Sequence, residues 1–458
     1  MFIEKRNIID QLILFLLLIT TLTINSILNI FSLSVFNIIF TMLIIFANTL
    51  NKSIKTKDLL QPVNIANLFL FFLFVIRPLY LLDIANLENN GFFQNYYLLY
   101  SYKPINEFPF ILGLSIGLVG IYCFNFGYWA FKKDIMRKVK EKEFIKEIKN
   151  TRKNIQWINA YYAFGFIMLM LFLIRFYNRT QDIEFSTIDI IWIYIFSVSI
   201  LLEIVIKNKI SVKHWFIIGI SIVALSILGN RQLIINLLIS SIIPLLYLNK
   251  KINWKTILLG CVVLIVIVWY GSIRSGRLLT LSNFFEDFIR EFSMFDMLII
   301  GLDHKFKFNT DFYLGYNYLS IFNYLIPGLS IPFFDFAHVK DVFQEVYGGG
   351  IPTTIIGSLY FNFTIFGVVI GMSILGFIFS KMYSKYRKMG KQMFIIYQTI
   401  LITFVYDVIR VGDISRELVT YLIFRGVLLI ALLFIYKNKV IKNDLYESKI
   451  IKNKINYC

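Results

Sequence analysis

Apolar blocks alternate with short polar links along the whole chain. The blocks fall near 9–28, 30–50, 62–84, 108–131, 157–176, 188–206, 214–229, 232–249, 254–273, 353–380, 392–411 and 418–436. Each comes close to the ~20 mostly apolar residues that a helix needs to cross a bilayer. The pattern predicts an all-α polytopic membrane protein with about twelve transmembrane helices. The blocks at 214–229 and 232–249 are short and nearly touch, and the charges flanking them predict two helices joined by a tight turn. The chain then divides into nine spans over 1–273, a long loop over 274–352, three spans over 353–436 and a basic tail over 437–458.

The links carry the sidedness. Lysine-rich links are the N-terminus, 51–61, 132–156, 207–213, 249–255, 381–391 and the tail. Short lysine- and arginine-rich loops stay on the cytoplasmic side. The alternation holds if all the spans are real, and it places both termini in the cytoplasm. The first span has no small-residue cleavage site and is followed at once by a second, so it reads as an anchor.

Composition agrees with the pattern. Hydrophobic residues make up 58% and charged residues 16% of the chain. A soluble domain is nearer one half and one quarter, roughly. The formal net charge of +18 would by itself suggest nucleic acid. Divided by side, it is a topology signal, and no nucleic-acid partner is expected. The inner links hold 28 lysines and 4 arginines against 10 acids. The outer links and outer span ends hold 10 arginines and 4 lysines against 18 acids. The basic stretch 132–156 reads as a solvated helix on anionic lipid.

The outer preference for arginine changes the picture. Lysine suffices for topology, whereas the planar guanidinium grips phosphate or carboxylate through two bonds. An anionic group handled on the outer face, phosphate or pyrophosphate first, fits that preference. Cys123, Cys261 and Cys458 have no paired spacing, and His214, His304 and His338 are scattered. No metal-ligand motif and no nucleotide-binding loop occurs, so no cofactor is expected.

Three outer segments hold the candidate chemistry. The long loop opens with Arg274 and Arg277 and continues into 282–300. There Phe284, Phe285, Phe288, Phe292 and Phe295 recur at helical spacing, with Glu286, Asp287, Arg290, Glu291 and Asp296 off that stripe. The spacing predicts an amphipathic helix in the outer interface, with Ser282 as N-cap. The rest of the loop is rich in Tyr, Asn, Asp and Phe, which suits sugars and also suits an interfacial belt. The second segment is the short turn before Arg231. The third holds Asp407, Arg410, Asp413, Arg416 and Glu417 between the last two spans. Arg77 and Arg425 lie deeper and need anionic partners, for which Asp83 and Asp407 are available.

These features resemble the Wzy-type oligosaccharide repeat-unit (O-antigen) polymerases. The resemblance rests on the span count, the Gly-Asn-Arg turn at 229–231, the Arg-led loop after span nine, and the segment 349–363. That segment reads Gly-Gly-x-Pro-Thr-x-x-Ile-Gly-x-Leu-Tyr-x-Asn-Phe and runs into a span containing Gly367, Gly371 and Gly376. Arg410 followed by Gly426 matches an Arg-x15-Gly pattern of some members. The chain departs at Ser358, where relatives have Glu, and at Thr364, where Gly is usual.

The resemblance implies a GT-C-like bundle in the bacterial inner membrane. Its implied substrate is an undecaprenyl-pyrophosphate-linked oligosaccharide on the outer leaflet, and a chain-length regulator and a flippase are the implied partners. Arg231, Arg274, Arg277 and Arg410 are the expected catalytic residues, as donors to the departing pyrophosphate. Arg290, Arg416, Asp413, His304 and Tyr360 are the expected substrate contacts, with no metal. Glu286, Asp287, Glu291, Asp303, His304 and Asp413 all stay open as general base. The alternatives are a lipid-linked oligosaccharide flippase and an O-antigen ligase.

Overall fold

The structure is a computed structural model that describes residues 2–27, 30–56, 58–86, 107–130, 152–177, 187–209, 212–228, 231–248, 292, 294–308, 353–412, 417–433 and 435. In chain order the helices are α1 (Phe2–Ile27), α2 (Phe31–Lys55), α3 (Pro62–Phe71), a π-helical turn (Phe72–Ile76) and α4 (Arg77–Asn86). Then come α5 (Glu107–Ala130), α6 (Arg152–Tyr177), α7 (Thr187–Lys207), α8 (Val212–Leu228) and α9 (Arg231–Leu248). The last are α10 (Met294–Phe308), α11 (Ile355–Tyr386) and α12 (Lys391–Val411). Residues 417–433 are also helical, and no strand occurs among the described residues.

The fold is therefore all-α, as the periodicity implies. Among the described residues, seven helices are long and apolar enough to cross a membrane. They coincide with the expected spans 9–28, 30–50, 62–84, 108–131, 157–176, 353–380 and 392–411. The apolar stretches Lys213–Ala224 and Leu233–Leu248 are shorter. They belong to two separate helices, with only 229 and 230 between them, so the tight turn expected there has its flanking helices in place. The expected span 254–273 lies outside the described residues. Large apolar side chains stand exposed on α1, α2 and α6, among them Ile13, Phe40 and Leu171. Such surface is costly in water and natural in hydrocarbon.

The chain divides into two compact units. The first comprises Met1–Lys142, Val263–Lys388 and Phe404–Val419, and the second comprises Glu143–Val262, Met389–Thr403 and Thr420–Cys458. In the first unit α5 is the central element. It is apolar all round and buried over most of its length, the signature of a helix with neighbours on every side.

Glycines set how closely those neighbours approach. A methyl group built on Gly127 would lie 2.1 Å from the Ser373 carbonyl oxygen, and one on Gly376 would lie 2.2 Å from the Phe124 carbonyl oxygen. The backbones of α5 and α11 are thus in contact. Helix association in lipid gains little from the hydrophobic effect, because the tails are as apolar as the side chains. It rests on close packing, so small residues mark the crossing. Next to it, Asn125 and Asn67 exchange amide hydrogen bonds of 2.9 and 3.0 Å, and Thr49 Oγ1 donates to Asn125 Oδ1 at 2.7 Å.

The expected interfacial helix 282–300 comes out differently where it is described. The helix starts at Met294, and Met294, Phe295, Met297, Leu298 and Leu302 are all buried, as is Asp296. Consecutive buried positions go right round a helix, so this stretch packs inside the first unit and not half in lipid.

Gly127→Ala should destabilise the protein by about 1–3 kcal/mol through overpacking. The readout is the midpoint of thermal unfolding in detergent. Gly219→Ala on α8, where the new methyl meets nothing within 4 Å, should leave the midpoint unchanged or raise it, because alanine favours helix.

Candidate functional site

The site begins at the π-helical turn between α3 and α4. A π-turn adds one residue to a helical turn and re-aims the side chains beyond it, and such bulges gather at functional sites. Here it aims three side chains at α10 and the residues just before it. Phe72 stacks on Phe292, with ring centroids 4.8 Å apart and planes at 16°. Phe74 meets Phe295 edge-on at 5.5 Å, and Phe295 meets Phe110 at 5.6 Å. Arg77 then reaches Asp296. Its Nε donates to Oδ1 at 2.9 Å and its Nη2 to Oδ2 at 2.6 Å.

This is a bidentate pair with Arg77 only 1% exposed. Burying either charge alone costs several kcal/mol, about, and the paired fork offsets that. Of the partners the sequence offered, Asp407 is buried on α12, and the Asp83 side chain lies outside the described residues. Asp296, which the helical spacing had left on a polar face, holds the arginine in this fork.

The segment 349–363 is described from Thr353 onward. Thr354 caps α11, its Oγ1 accepting from the Gly357 N–H at 3.0 Å. The expected continuous span 353–380 is broken. Phe363 (φ −135°, ψ 21°) and Thr364 (φ 61°, ψ −159°) are non-helical. The bend is sharp. A methyl on Gly367 would lie 2.5 Å from the Leu359 carbonyl oxygen, and one on Gly371 would lie 2.6 Å from the Leu359 side chain. In an unbroken helix, residues eight apart would be about 12 Å apart along the axis. Gly367 and Gly371 thus serve the chain's own bend, whereas Gly376 serves the crossing with α5. Asn362 is fully buried just before the break, and its Nδ2 donates to the Ser358 carbonyl at 2.7 Å. Ser358 is itself buried.

The end of α12 closes onto the start of α11. Gly412 has φ +70°, and a methyl there would lie 2.4 Å from the Thr353 carbonyl oxygen. Only glycine combines that left-handed backbone with so close an approach. Its N–H donates to the Val408 carbonyl at 3.2 Å, ending the helix. Arg410, half-buried, lies over the Tyr406 ring at 5.8 Å, and Tyr406 in turn lies 4.8 Å from the ring of Phe69. Asp407 and Glu417 are buried and act electrostatically on the same tyrosine. Leu298 of α10 packs 3.3 Å from the methyl position of Gly357. Four elements of the first unit therefore meet in a chain of contacts: the π-turn with α4, α10, the start of α11 and the end of α12.

Of the expected site residues, Arg410 and Tyr360 are fully described. Tyr360 is half-buried on the short arm of α11, with Phe361 beside it at 5.8 Å. Arg231 is the first residue of α9 and His304 lies in α10; the side chains of both lie outside the described residues. Arg274, Arg277, Arg290, Asp413 and Arg416 lie outside them entirely, as do the possible bases Glu286, Asp287 and Glu291. Asp303 is on α10, half-buried.

One cluster escaped the reading of the sequence. In the second unit, Glu203 near the end of α7 is 2% exposed and His214 on α8 is fully buried. Lys207 Nζ donates to Glu203 Oε1 at 2.5 Å, and His214 Nε2 lies 3.0 Å from Oε2. Lys213 Nζ donates to Asn159 Oδ1 at 2.8 Å and lies 3.6 Å from the centre of the Tyr162 ring. A single acid in an apolar run with lysine four residues on was the available signal.

Two measurements test the first unit. Arg77→Met leaves the Asp296 carboxylate buried without its fork and should cost about 3–5 kcal/mol of stability, whereas Arg77→Met with Asp296→Leu should recover most of it. Thr364→Gly should raise the unfolding midpoint by about 1 kcal/mol in stability, because a β-branched residue at positive φ stores strain that glycine does not.

No family model matches the chain, and no curated protein or solved structure does.

Proposed function

We propose that the chain is a Wzy-type oligosaccharide repeat-unit polymerase of a bacterial inner membrane, acting on undecaprenyl-pyrophosphate-linked units at the outer face. One observation carries this reading. The two stretches behind the resemblance, the 349–363 segment and the Arg410 turn, lie about fifty residues apart in sequence and touch through Gly412 and Thr353. The broken α11 supports the reading too, since irregular backbone at membrane depth is tolerated where protein packs around it or a cavity needs it. Thr364, where relatives have Gly, is the residue with positive φ.

The chemistry follows from the residue types. The acceptor sugar hydroxyl attacks the anomeric carbon of the donor chain, forming the new glycosidic bond. The bond from that carbon to the pyrophosphate oxygen breaks, and the lipid pyrophosphate leaves with the electron pair. The hydroxyl proton passes to a carboxylate or histidine of the outer segments, with Glu286, Asp287, Glu291, Asp303, His304 and Asp413 all open. Arg410, steadied over Tyr406, would offer the leaving group a fixed guanidinium, with Arg231, Arg274 and Arg277 as further donors. Donors fixed in advance stabilise developing charge without reorganising during the reaction. The activated donor supplies the driving force. Within this reading Arg290, Arg416 and Tyr360 contact the sugar and its phosphates.

Deletion of the gene separates the alternatives on a gel of surface polysaccharide. A polymerase deletion leaves single-repeat product, and a ligase or flippase deletion leaves none. A surviving ladder overturns the proposal. In the complemented strain, Arg410→Lys should slow chain growth about 10- to 100-fold at equal membrane abundance, because lysine cannot make the two-bond grip. Unchanged ladders would remove Arg410 from the site.

A further inference from the structure

Between Leu418 and Tyr436 the only charged residue is Arg425. It stands at the midpoint of the helix over 417–433, about 12 Å along the axis from either end. Arg425 is half-buried. Its guanidinium lies 6.0 Å from the centre of the Tyr397 ring, in the same compact unit. Among the described residues Arg425 forms no ion pair and no hydrogen bond through its side chain. Arg77, by contrast, has Asp296 as a bidentate partner. A cation inside a membrane span is costly unless it is paired, and such residues mark functional contacts. The tyrosine face offsets part of that cost but leaves the positive charge uncancelled.

The surface beside Arg425 is open. Leu422, Leu429 and Leu433 are exposed, and Gly426 is half-buried. These four positions follow the spacing i, i+4, i+7, i+11 and share one face of the helix. Arg425 adjoins Gly426 and lies three and four residues from Leu422 and Leu429, so it edges that face. A methyl group built on Gly426 would meet nothing within 4 Å. At Gly127 and Gly376 a neighbouring backbone fills the place of the missing side chain. At Gly426 the same kind of gap stays open, and in lipid a small residue at such a place lets a second helix approach closely.

Charge decides what fits there. Lipid tails carry no anion, and headgroup phosphates lie beyond the helix ends, about 12 Å away along the axis. Tyr397 keeps the guanidinium at depth, because it sits six residues into α12 from Lys391, about 9 Å along that axis. A second copy of this chain does not supply the anion. Among the described side chains of the membrane-length helices, carboxylates lie near the ends of the apolar stretches, as Asp10 and Glu107 do, or are buried, as Asp407 is. The apolar block 254–273 holds no acid. The complement of this face is an apolar helix with one carboxylate at mid-span.

We propose that the face of Leu422, Gly426 and Leu429 docks a transmembrane helix of another membrane protein, whose mid-span Asp or Glu pairs with Arg425. This goes beyond the polymerase reading and does not rest on it.

The test places a photo-crosslinking amino acid at Leu429, or as a control at Phe164 on the exposed face of α6, in the full-length chain in the cells that make it. Illumination should join position 429, and not 164, to a second protein with an Asp or Glu inside a transmembrane segment. Neutralising that acid should lower the adduct about 10-fold, the scale of interhelical polar pairs in lipid. Arg425→Gln, which removes the charge, and Gly426→Leu, which fills the gap, should do the same at equal membrane abundance. A synthetic probe gives a second readout: a leucine–alanine helix of about 20 residues with a central Glu. In phosphatidylcholine vesicles it should bind the full-length protein about 10-fold more tightly than the same helix with a central Gln. Neutralising the partner's acid and exchanging Glu for Gln in the probe leave this chain unaltered, so both hold if a variant fails to fold. Adducts with lipid alone, adducts of twice the chain's own mass, or a partner without a membrane acid overturn the proposal. Equal binding of the Glu and Gln probes overturns it as well.

Discussion

The Arg77–Asp296 ion pair is the interaction on which one end of the first unit depends. Neither charge could be buried by itself, and the two residues lie 219 apart in sequence. Their pairing brings α10, which comes dozens of residues after the lysine-rich link 249–255, into the packed interior beside α4 and α5. The rings of Phe72, Phe74, Phe110, Phe292 and Phe295 then close around it. The ion pair supplies direction, because a bidentate fork has one good geometry. The rings supply area, because they tolerate many. A helix that would otherwise lie on the membrane surface is thereby fixed against the start of α11.

Backbone freedom is the second constraint. At Gly127 and Gly376 it is the missing side chain that matters, since two helices meet there carbonyl to Cα. At Gly412 it is the sign of φ, together with the Thr353 carbonyl pressed against the same face. At Thr364 the chain adopts a glycine-like backbone without a glycine, and the neighbouring contacts of Leu359 with Gly367 and Gly371 hold it there. The bend in α11 is thus over-determined by packing. It positions the short arm, with Tyr360 and the buried Asn362, next to the end of α12.

Polar groups buried among these helices fall into two kinds. Some are answered within the protein: Asn67 by Asn125, Glu203 by Lys207 and His214, and Asp58 by Tyr383. These fix the register of helices whose apolar surfaces would slide on one another in lipid. Gln11 Oε1, Ser34 Oγ and Trp192 Nε1 are of the other kind, buried with no hydrogen-bond partner within the protein.

Hydrophobic periodicity alone determined that the chain is all-α and built of membrane-length helices, because a run of apolar residues has few other uses. It also located most helix ends, since lysines and short polar links cannot stay in hydrocarbon. The residue types at 349–363 and around Arg410 were legible as a candidate site. What sequence could not show was which buried charge meets which. Asp296 was read as a polar-face residue of a surface helix, and the partner of Arg77 was sought in Asp83 or Asp407. Nor could it show that the tenth span is broken, because Phe363 and Thr364 look as apolar and as helical as their neighbours. Pairings across 219 residues and a bend held by Leu359 against two glycines are decided by packing in three dimensions. Local composition does not encode them, because each partner contributes only half of the contact.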